Sequence, residues 1–457
     1  MGAIPGSIDT AQQPPMTVPL RHFVVGLGFL VAGSLLGIGL LVDVVPGLGH
    51  LVHVHLLLVG WVCLTIMGAM TQFVPVWSGV TLHSRRLATV QLGLVVGGLF
   101  GFVVGLTLVE TVWLVFFGMV ILAGFWTFVY NIARTLVRVE DLDVTERHFV
   151  VALGFFVVLT GLGVLLALNL DRDIISGVGM SHTGVLGAHV TVAIFGAVLT
   201  TIYGALYQLA TMFTQTELHG IDHRLRAMEE LGHPIGVVAL AAGRVMEWGM
   251  VARVGGLLVL LAALAFGTVL ARKLYEMQVE RTPMHTRYFV VWAALIVWAV
   301  SAVPAWATTP TAPAHLFGAA GSVHLLLLGV IGFVILGTLY HIIPFIIWVH
   351  RYSDKLGLQE VPMIDDLYDD RLAAIDGTLL FVGTVLLVGS DVRETVPVVA
   401  LVGGVLVSLG VIVFTVNMLL VLRRHSPHSV DRIVLGSLSP RQSAGHAEES
   451  ASGERTS

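Results

Sequence analysis

Between residues 23 and 421 the chain runs almost without interruption through apolar stretches of about twenty residues, the length that suits the core of a bilayer. With 56% hydrophobic residues, 12% charged residues and a mean hydropathy of +0.90, a water-soluble domain is excluded. A backbone in lipid must satisfy its own hydrogen bonds, so each stretch reads as a helix. The pattern predicts an all-α polytopic membrane protein with twelve transmembrane helices, among them spans at 51–77, 184–213, 235–251 and 316–349.

Basic residues set the expected orientation. If the N-terminus is cytoplasmic, 20 of the 24 Lys and Arg fall in inner segments, and only Arg172, Arg244, Arg253 and Arg393 fall at outer ends. The chain is therefore expected in the cell membrane, multi-pass, with both termini cytoplasmic. No basic cluster precedes an apolar core in the first twenty residues, so a cleaved signal peptide is not expected. The single cysteine, Cys63, excludes an intramolecular disulfide. A net charge of -5 gives no reason to expect nucleic acid.

The chain also answers itself. RHFVVGLGFLVAGSLLGIGLL from Arg21 is matched by RHFVVALGFFVVLTGLGVLLA from Arg147 and, more weakly, by TRYFVVWAALIVWAV from Thr286. Each copy opens a block of four spans, which predicts three pseudo-threefold four-helix repeats at 21–140, 141–280 and 281–424. Residues 1–20 form a cytoplasmic segment and 425–457, rich in Ser, Glu and Arg, a disordered cytoplasmic tail.

The second span of each block opens on a histidine: His55, His189 and His324, 134 and 135 residues apart. An imidazole at membrane depth is expensive unless it meets a partner, and a metal or haem iron suits its neutral form. His53 precedes His55 by two residues, so the two side chains point about 200° apart on a helix and serve neighbouring crevices. This set admits either cofactor ligation or buried hydrogen-bonded structure. Gly60 and Gly329 lie five residues beyond their histidines and Pro75 and Pro344 twenty beyond, while the middle copy has Leu209 at the proline position. His182 and His315 lie nearer the outer surface. His22, His148, His233 and His285 fall at inner ends, where an imidazole costs little. Arg244, three residues before Glu247, is expected to form an ion pair with it.

This arrangement resembles subunit I of the haem-copper oxidases and nitric oxide reductases. The text of residues 53–75 is similar to the haem-binding helix of the cbb-type branch, with its H-x-H pair moved to the second span. The resemblance implies haem b, one or two per chain, with iron held by His53, His55 and His324. It further implies that His324 faces His53 and that His55 faces the sixth span. Arg393 matches the region that binds the haem propionates. His189 matches a copper ligand, but the seventh span, PIGVVALAAGRVMEW, lacks the two histidines that complete the family's copper site, and Ser322 stands where the high-spin haem ligand belongs. Copper is therefore a weaker expectation than haem.

The function implied is b-type electron transfer or sensing in respiration, with a degenerate catalytic centre. A divergent oxygen or nitric oxide reductase, with a site rebuilt from His53 or His55, His189 and His182, is a second reading of the same residues. If the chain is an enzyme, it is an oxidoreductase. An NnrS-like haem and copper protein of nitric oxide stress is a third reading, although the H-E-M text of that family is absent here. Repeat symmetry also fits a cofactor-free transporter. Implied partners are the lipid bilayer, a cytochrome-type or quinol electron donor and small partner subunits.

Overall fold

A computed structural model describes residues 13–393 and 397–436. Eleven helices within it are long and apolar enough to cross a membrane: α1 (Thr17–Leu41), α2 (Gly49–Trp77), α3 (Arg85–Leu108), α4 (Thr111–Leu136), α5 (Val144–Arg172), α6 (His182–Thr214), α8 (Gly249–Tyr275), α9 (Pro283–Thr308), α10 (Leu325–Arg351), α11 (Asp370–Val392) and α12 (Pro397–His425). Between α6 and α8 stands a further helix, α7 (Ile221–Val245). The protein is an all-α, multi-pass membrane protein, and its described residues contain no β-sheet.

Three boundaries differ from the sequence expectation. The segment expected as a disordered tail from 425 carries a short helix, Val430–Leu435, whose Ile433 carbonyl accepts from the Arg21 guanidinium at 2.7 Å. Helix α7 begins fourteen residues before the apolar run at 235, and part of its charged first half is paired: Arg147 of α5 bonds Glu230, and His148 of α5 sits 3.1 Å from the buried carboxylate of Glu229. The apolar pattern starts the tenth span at 316, but residues 316–322 form a loop. Gly321 lies there at φ +75°, and a Cβ would come within 2.5 Å of the Asp391 carbonyl. Only glycine allows that approach.

Helices α6 and α10 are the most enclosed, with 78% of their apolar stretches buried against 22% for α1. Each of α2, α6 and α10 widens into an eight-residue π-helical segment: Leu56–Cys63, Val192–Leu199 and Leu325–Gly332. Such segments are uncommon and gather at functional sites. Counted from the starts of these segments, glycines fall at the same two places in all three helices. At the first, Gly60 meets Phe29, Gly196 meets Phe155 and Gly329 meets Ala294. At the second, Gly68 meets the Cβ of His22, Gly204 that of His148 and Gly337 that of Arg287. Small residues let membrane helices approach closely where no hydrophobic effect drives them together. Between the three helices lies an apolar cavity of about 80 Å³, ringed by Ile66, Ile202 and Ile335 and then by Met70, Leu206 and Leu339.

The same count moves the middle copy by two residues. His55 and His324 stand immediately before their π segments, but the residue there in α6 is Thr191. His189 stands three residues before its segment, which is the place of His53 and Ser322. The residue in line with Pro75 and Pro344 is then Thr211 rather than Leu209.

At the end of the bundle away from these histidines, charges are buried in pairs. The Arg287 guanidinium and the Asp376 carboxylate, 3% and 0% exposed, bond directly, and Tyr340 donates its hydroxyl to the same carboxylate. Asn417 in turn donates to Tyr340 at 3.1 Å and to the Asp369 carbonyl at 2.9 Å, which ties α10 to α11 and α12. Removing one member of such a pair strands a charge and costs about 3–5 kcal/mol, whereas replacing both by apolar groups of similar volume is close to neutral. Thermal unfolding in detergent should therefore show a large loss for Arg287→Met, and the double variant Arg287→Met, Asp376→Leu should recover much of it. Equal losses in both would remove the pair from its assigned role.

Candidate functional site

Four histidines line the opposite end of the bundle, and all four spend the same nitrogen. His53 Nδ1 bonds the Gly33 carbonyl of α1 at 2.9 Å, and His189 Nδ1 the Leu159 carbonyl of α5 at 3.2 Å. His55 Nδ1 bonds the Leu51 carbonyl one turn back at 2.8 Å, and His324 Nδ1 the Asp391 carboxylate of α11 at 2.6 Å. A carbonyl or carboxylate acceptor places the proton on Nδ1 and leaves the Nε2 lone pair free, which is the tautomer a metal requires. Among the described residues no group bonds to any of the four Nε2 atoms.

Neighbouring helices are shaped around two of these rings. A Cβ at Gly37 of α1 would lie 2.8 Å from His53 Cε1, and one at Gly163 of α5 would lie 3.1 Å from His189 Cε1. Gly37 and Gly163 occupy the same position in the two matching texts that open at Arg21 and Arg147. Each glycine sits one turn beyond the residue whose carbonyl accepts the Nδ1 proton, Gly33 or Leu159.

His53 lies near His324 and His50, and His189 lies near His55. His55 and His189 line one cavity of about 310 Å³ between α2 and α6, with His182 beside them. That volume lies within the roughly 300–1,000 Å³ range of ligand clefts. His53 stands on α2 and His324 just before α10, with the His324 side chain 36% exposed.

The remaining crevice, between α6 and α10, has Thr191 and Ser322 in place of histidines and is closed. Arg244 of α7 fills it, donating to the Thr191 hydroxyl at 2.6 Å and to the carbonyls of Pro310, His315 and Leu316. Trp298 and Trp306 pack around Phe195 beside it. The expected Arg244–Glu247 ion pair is thus replaced: Arg244 is buried and turns inward to carbonyls, while Glu247 lies past the end of α7 at φ +55°.

The remaining expected residues fall as follows. His182 stands at the cavity's outer edge, its Nδ1 3.2 Å from the Asn169 amide nitrogen. The side chain of Arg393 lies outside the described residues. The hydroxyls of Thr200 and Thr201 turn back to carbonyls of their own helix. His22, His148, His233 and His285 are buried rather than interfacial. His233 bonds the Phe195 carbonyl at 2.8 Å and packs edge-on against Tyr203. Sequence reasoning missed Asp391, whose only signal is an acidic residue at the end of an apolar run.

It also missed a second cluster, at the far end. Ligand atoms of His219, Asp222 and Glu276 lie within 4.8 Å of one another, a spacing that could hold a metal ion. Two cations already occupy it: Arg272 reaches Asp222 at 2.6 Å, and Lys273 reaches Asp222 at 3.0 Å and Glu276 at 2.6 Å. Of the three, only Asp222 is buried.

No protein-family model matches the chain, and no curated protein matches it.

The far-end cluster lies outside the membrane-spanning segments, and its carboxylates set an acid limit. Burial pushes Asp222 up, but its bonds to the His219 N–H, Lys273 and Arg272 outweigh this and hold it below the ordinary range. Its bond to Lys273 is the main cause that holds Glu276 down. A depressed carboxyl stabilises the fold above its unfolded pKa, about 4, and loses that contribution as pH falls through the folded value. The thermal midpoint should therefore drop as pH is lowered from about 5 to 3. In Asp222→Asn the midpoint should be lower at neutral pH and flatter across this window, and an unchanged slope would count against the assignment.

Proposed function

We propose that the chain is a b-type haem-binding membrane protein that carries or senses electrons, related to subunit I of the haem-copper oxidases. The observation that carries this reading is His53 and His324, neighbours on two helices, each with Nδ1 committed and Nε2 free. Two such imidazoles would suit the iron of a low-spin haem. When bound, haem supplies one-electron transfer. The protein's part is orientation: the Gly33 carbonyl fixes the His53 ring, Gly37 gives it room, and the Asp391 carboxylate both aims His324 and raises the basicity of its Nε2. Arg393, two residues beyond Asp391, is proposed as a propionate partner on sequence position alone.

The reading includes twelve spans in three four-helix repeats, with α7 as the twelfth. The matching glycines and the three π segments support it, as does the ring of isoleucines around the axis. The distribution of Lys and Arg supports cytoplasmic termini. A reductase is the weaker reading, because His233, the histidine within α7, is committed to the Phe195 carbonyl and does not line the cavity of His55 and His189.

The purified protein in detergent should give sharp low-spin bands in a dithionite-reduced minus oxidised spectrum. His324→Ala should lose one set of bands, and an unchanged spectrum would remove His324 from the ligand set. A colourless wild type would favour a transporter. Asp391→Asn should keep the spectrum but weaken haem retention by roughly 10–100-fold. Its midpoint potential should rise, because the anion that favours the ferric state is gone.

A further inference from the structure

We propose that the ends of α1, α10 and α12, with the short helix Val430–Leu435, form a site for the phosphate group of an anionic phospholipid. It lies at the end of the bundle away from His53 and His324 and does not depend on the haem reading. Four arginines gather there from four segments. Arg21 of α1 donates through Nε to the Ile433 carbonyl at 2.7 Å, and the Ile433 side chain is buried, which pins the short helix against α1. Arg351, the last residue of α10, donates to the Arg424 and His425 carbonyls at 3.2 and 2.7 Å, where α12 ends. Arg424 and Arg351 lie near the His425 ring, and Arg432 of the short helix lies near His428 and so does His350.

What this cluster lacks is an acid. Elsewhere Arg147, Arg172, Arg272 and Arg287 each meet a carboxylate. Among the described residues none of Arg21, Arg351, Arg424 and Arg432 forms an ion pair, although Asp354 and Asp431 stand close by in sequence. The carbonyl bonds of Arg21 and Arg351 use only part of the five N–H donors that each guanidinium carries. At the centre, His428 Nδ1 is buried without a partner. Burial, and then the charge of Arg432 and the neighbouring His350, hold His428 below the ordinary imidazole range, so the local field is positive.

Like charges held together at a partly buried place are costly until a counter-charge joins them. A general excess of basic residues at one end of a membrane protein accounts for their number, but not for four converging without an acid. A phosphodiester answers the deficit, because its oxygens accept paired N–H bonds from planar guanidinium forks. The site also stands at headgroup depth, where three membrane helices end. Acyl chains have a surface to follow: Val416 and Leu409 are exposed on α12, seven and fourteen residues before Arg423, and Leu435 is exposed on the short helix. Clusters of basic residues placed in this way bind anionic lipids, each charge contributing about fivefold in affinity.

The experiment is titration of phosphatidylglycerol, and separately phosphatidylcholine, into the full chain in detergent, with bound lipid counted by native mass spectrometry. The wild type should bind phosphatidylglycerol the more tightly. Arg351→Gln with Arg432→Gln should weaken that binding about 30-fold. Arg85→Gln with Arg86→Gln removes the same charge from the exposed start of α3 at the same end of the bundle, and should bind like the wild type. Equal losses in the two double variants, or no preference in the wild type, overturn the site. Inorganic phosphate in excess should leave the lipid bound, and its displacement by phosphate would make the site one for free phosphate and overturn the lipid assignment. Because Arg351 ties α10 to α12, its variant can fail to fold; Arg432→Gln alone, at an exposed side chain, should then cost roughly fivefold. Unchanged binding in that variant would overturn the proposal as well.

Discussion

The close approach of α2, α6 and α10 to α1, α5 and α9 governs the rest of the bundle. In lipid, burial of apolar surface gives no net drive for helices to associate, so contact distance and hydrogen bonding decide where they pack. Paired glycines eight residues apart, at 60 and 68, 196 and 204, 329 and 337, let each inner helix sit hard against its neighbour. That contact fixes the rotation of the inner helices. The π segments, each of which contains the first glycine of its pair, then set the direction of the residues just before them.

Once the rotation is fixed, the three crevices differ only in what their walls carry. Two present imidazoles with free Nε2 atoms. The third presents two hydroxyls, and a buried guanidinium has been recruited to fill the space. Arg244 has no carboxylate partner, yet its nitrogens meet four acceptors, three of them carbonyls of the loop before α10. Burying a charge without such partners would be prohibitive. The same loop carries Gly321, which presses on the Asp391 carbonyl and so helps place the carboxylate that aims His324. Filling the space between α6 and α10 and placing Asp391 beside His324 are tasks of the same short segment.

Much of this was legible in the sequence. Apolar runs gave the spans, and the RHFVV texts gave the relation between α1 and α5. The H-x-H spacing gave two directions from one helix. What the sequence hid has physical causes. Aligning His189 with His55 is natural by eye, but helix register depends on where the π segments begin, and they leave no mark in a run of Val, Leu and Gly. The first half of α7 looked like a loop because Arg224, Arg226, Glu229 and Glu230 are charged. Their partners, Arg147 and His148, are more than eighty residues away for Glu229 and Glu230. Asp391 was hidden because its partner lies 67 residues before it.

The strongest ground for function is a contrast among histidines within one molecule. His22 bonds the Val18 carbonyl with Nδ1 and approaches Gln91 with Nε2 at 3.4 Å; His148 bonds the Val144 carbonyl and Glu229; His285 bonds Thr282 and the Phe213 carbonyl. These three spend both nitrogens, as buried polar groups normally do. They hold helices together and have nothing left to offer. His53, His55, His189 and His324 are partly buried, are oriented by carbonyls or a carboxylate, and keep Nε2 unbonded. His233 is fully buried and also leaves one nitrogen, Nδ1, without a partner, so an unspent nitrogen alone marks no site. What sets the four apart is that all of them commit Nδ1 and keep the same nitrogen, Nε2, at one end of the bundle.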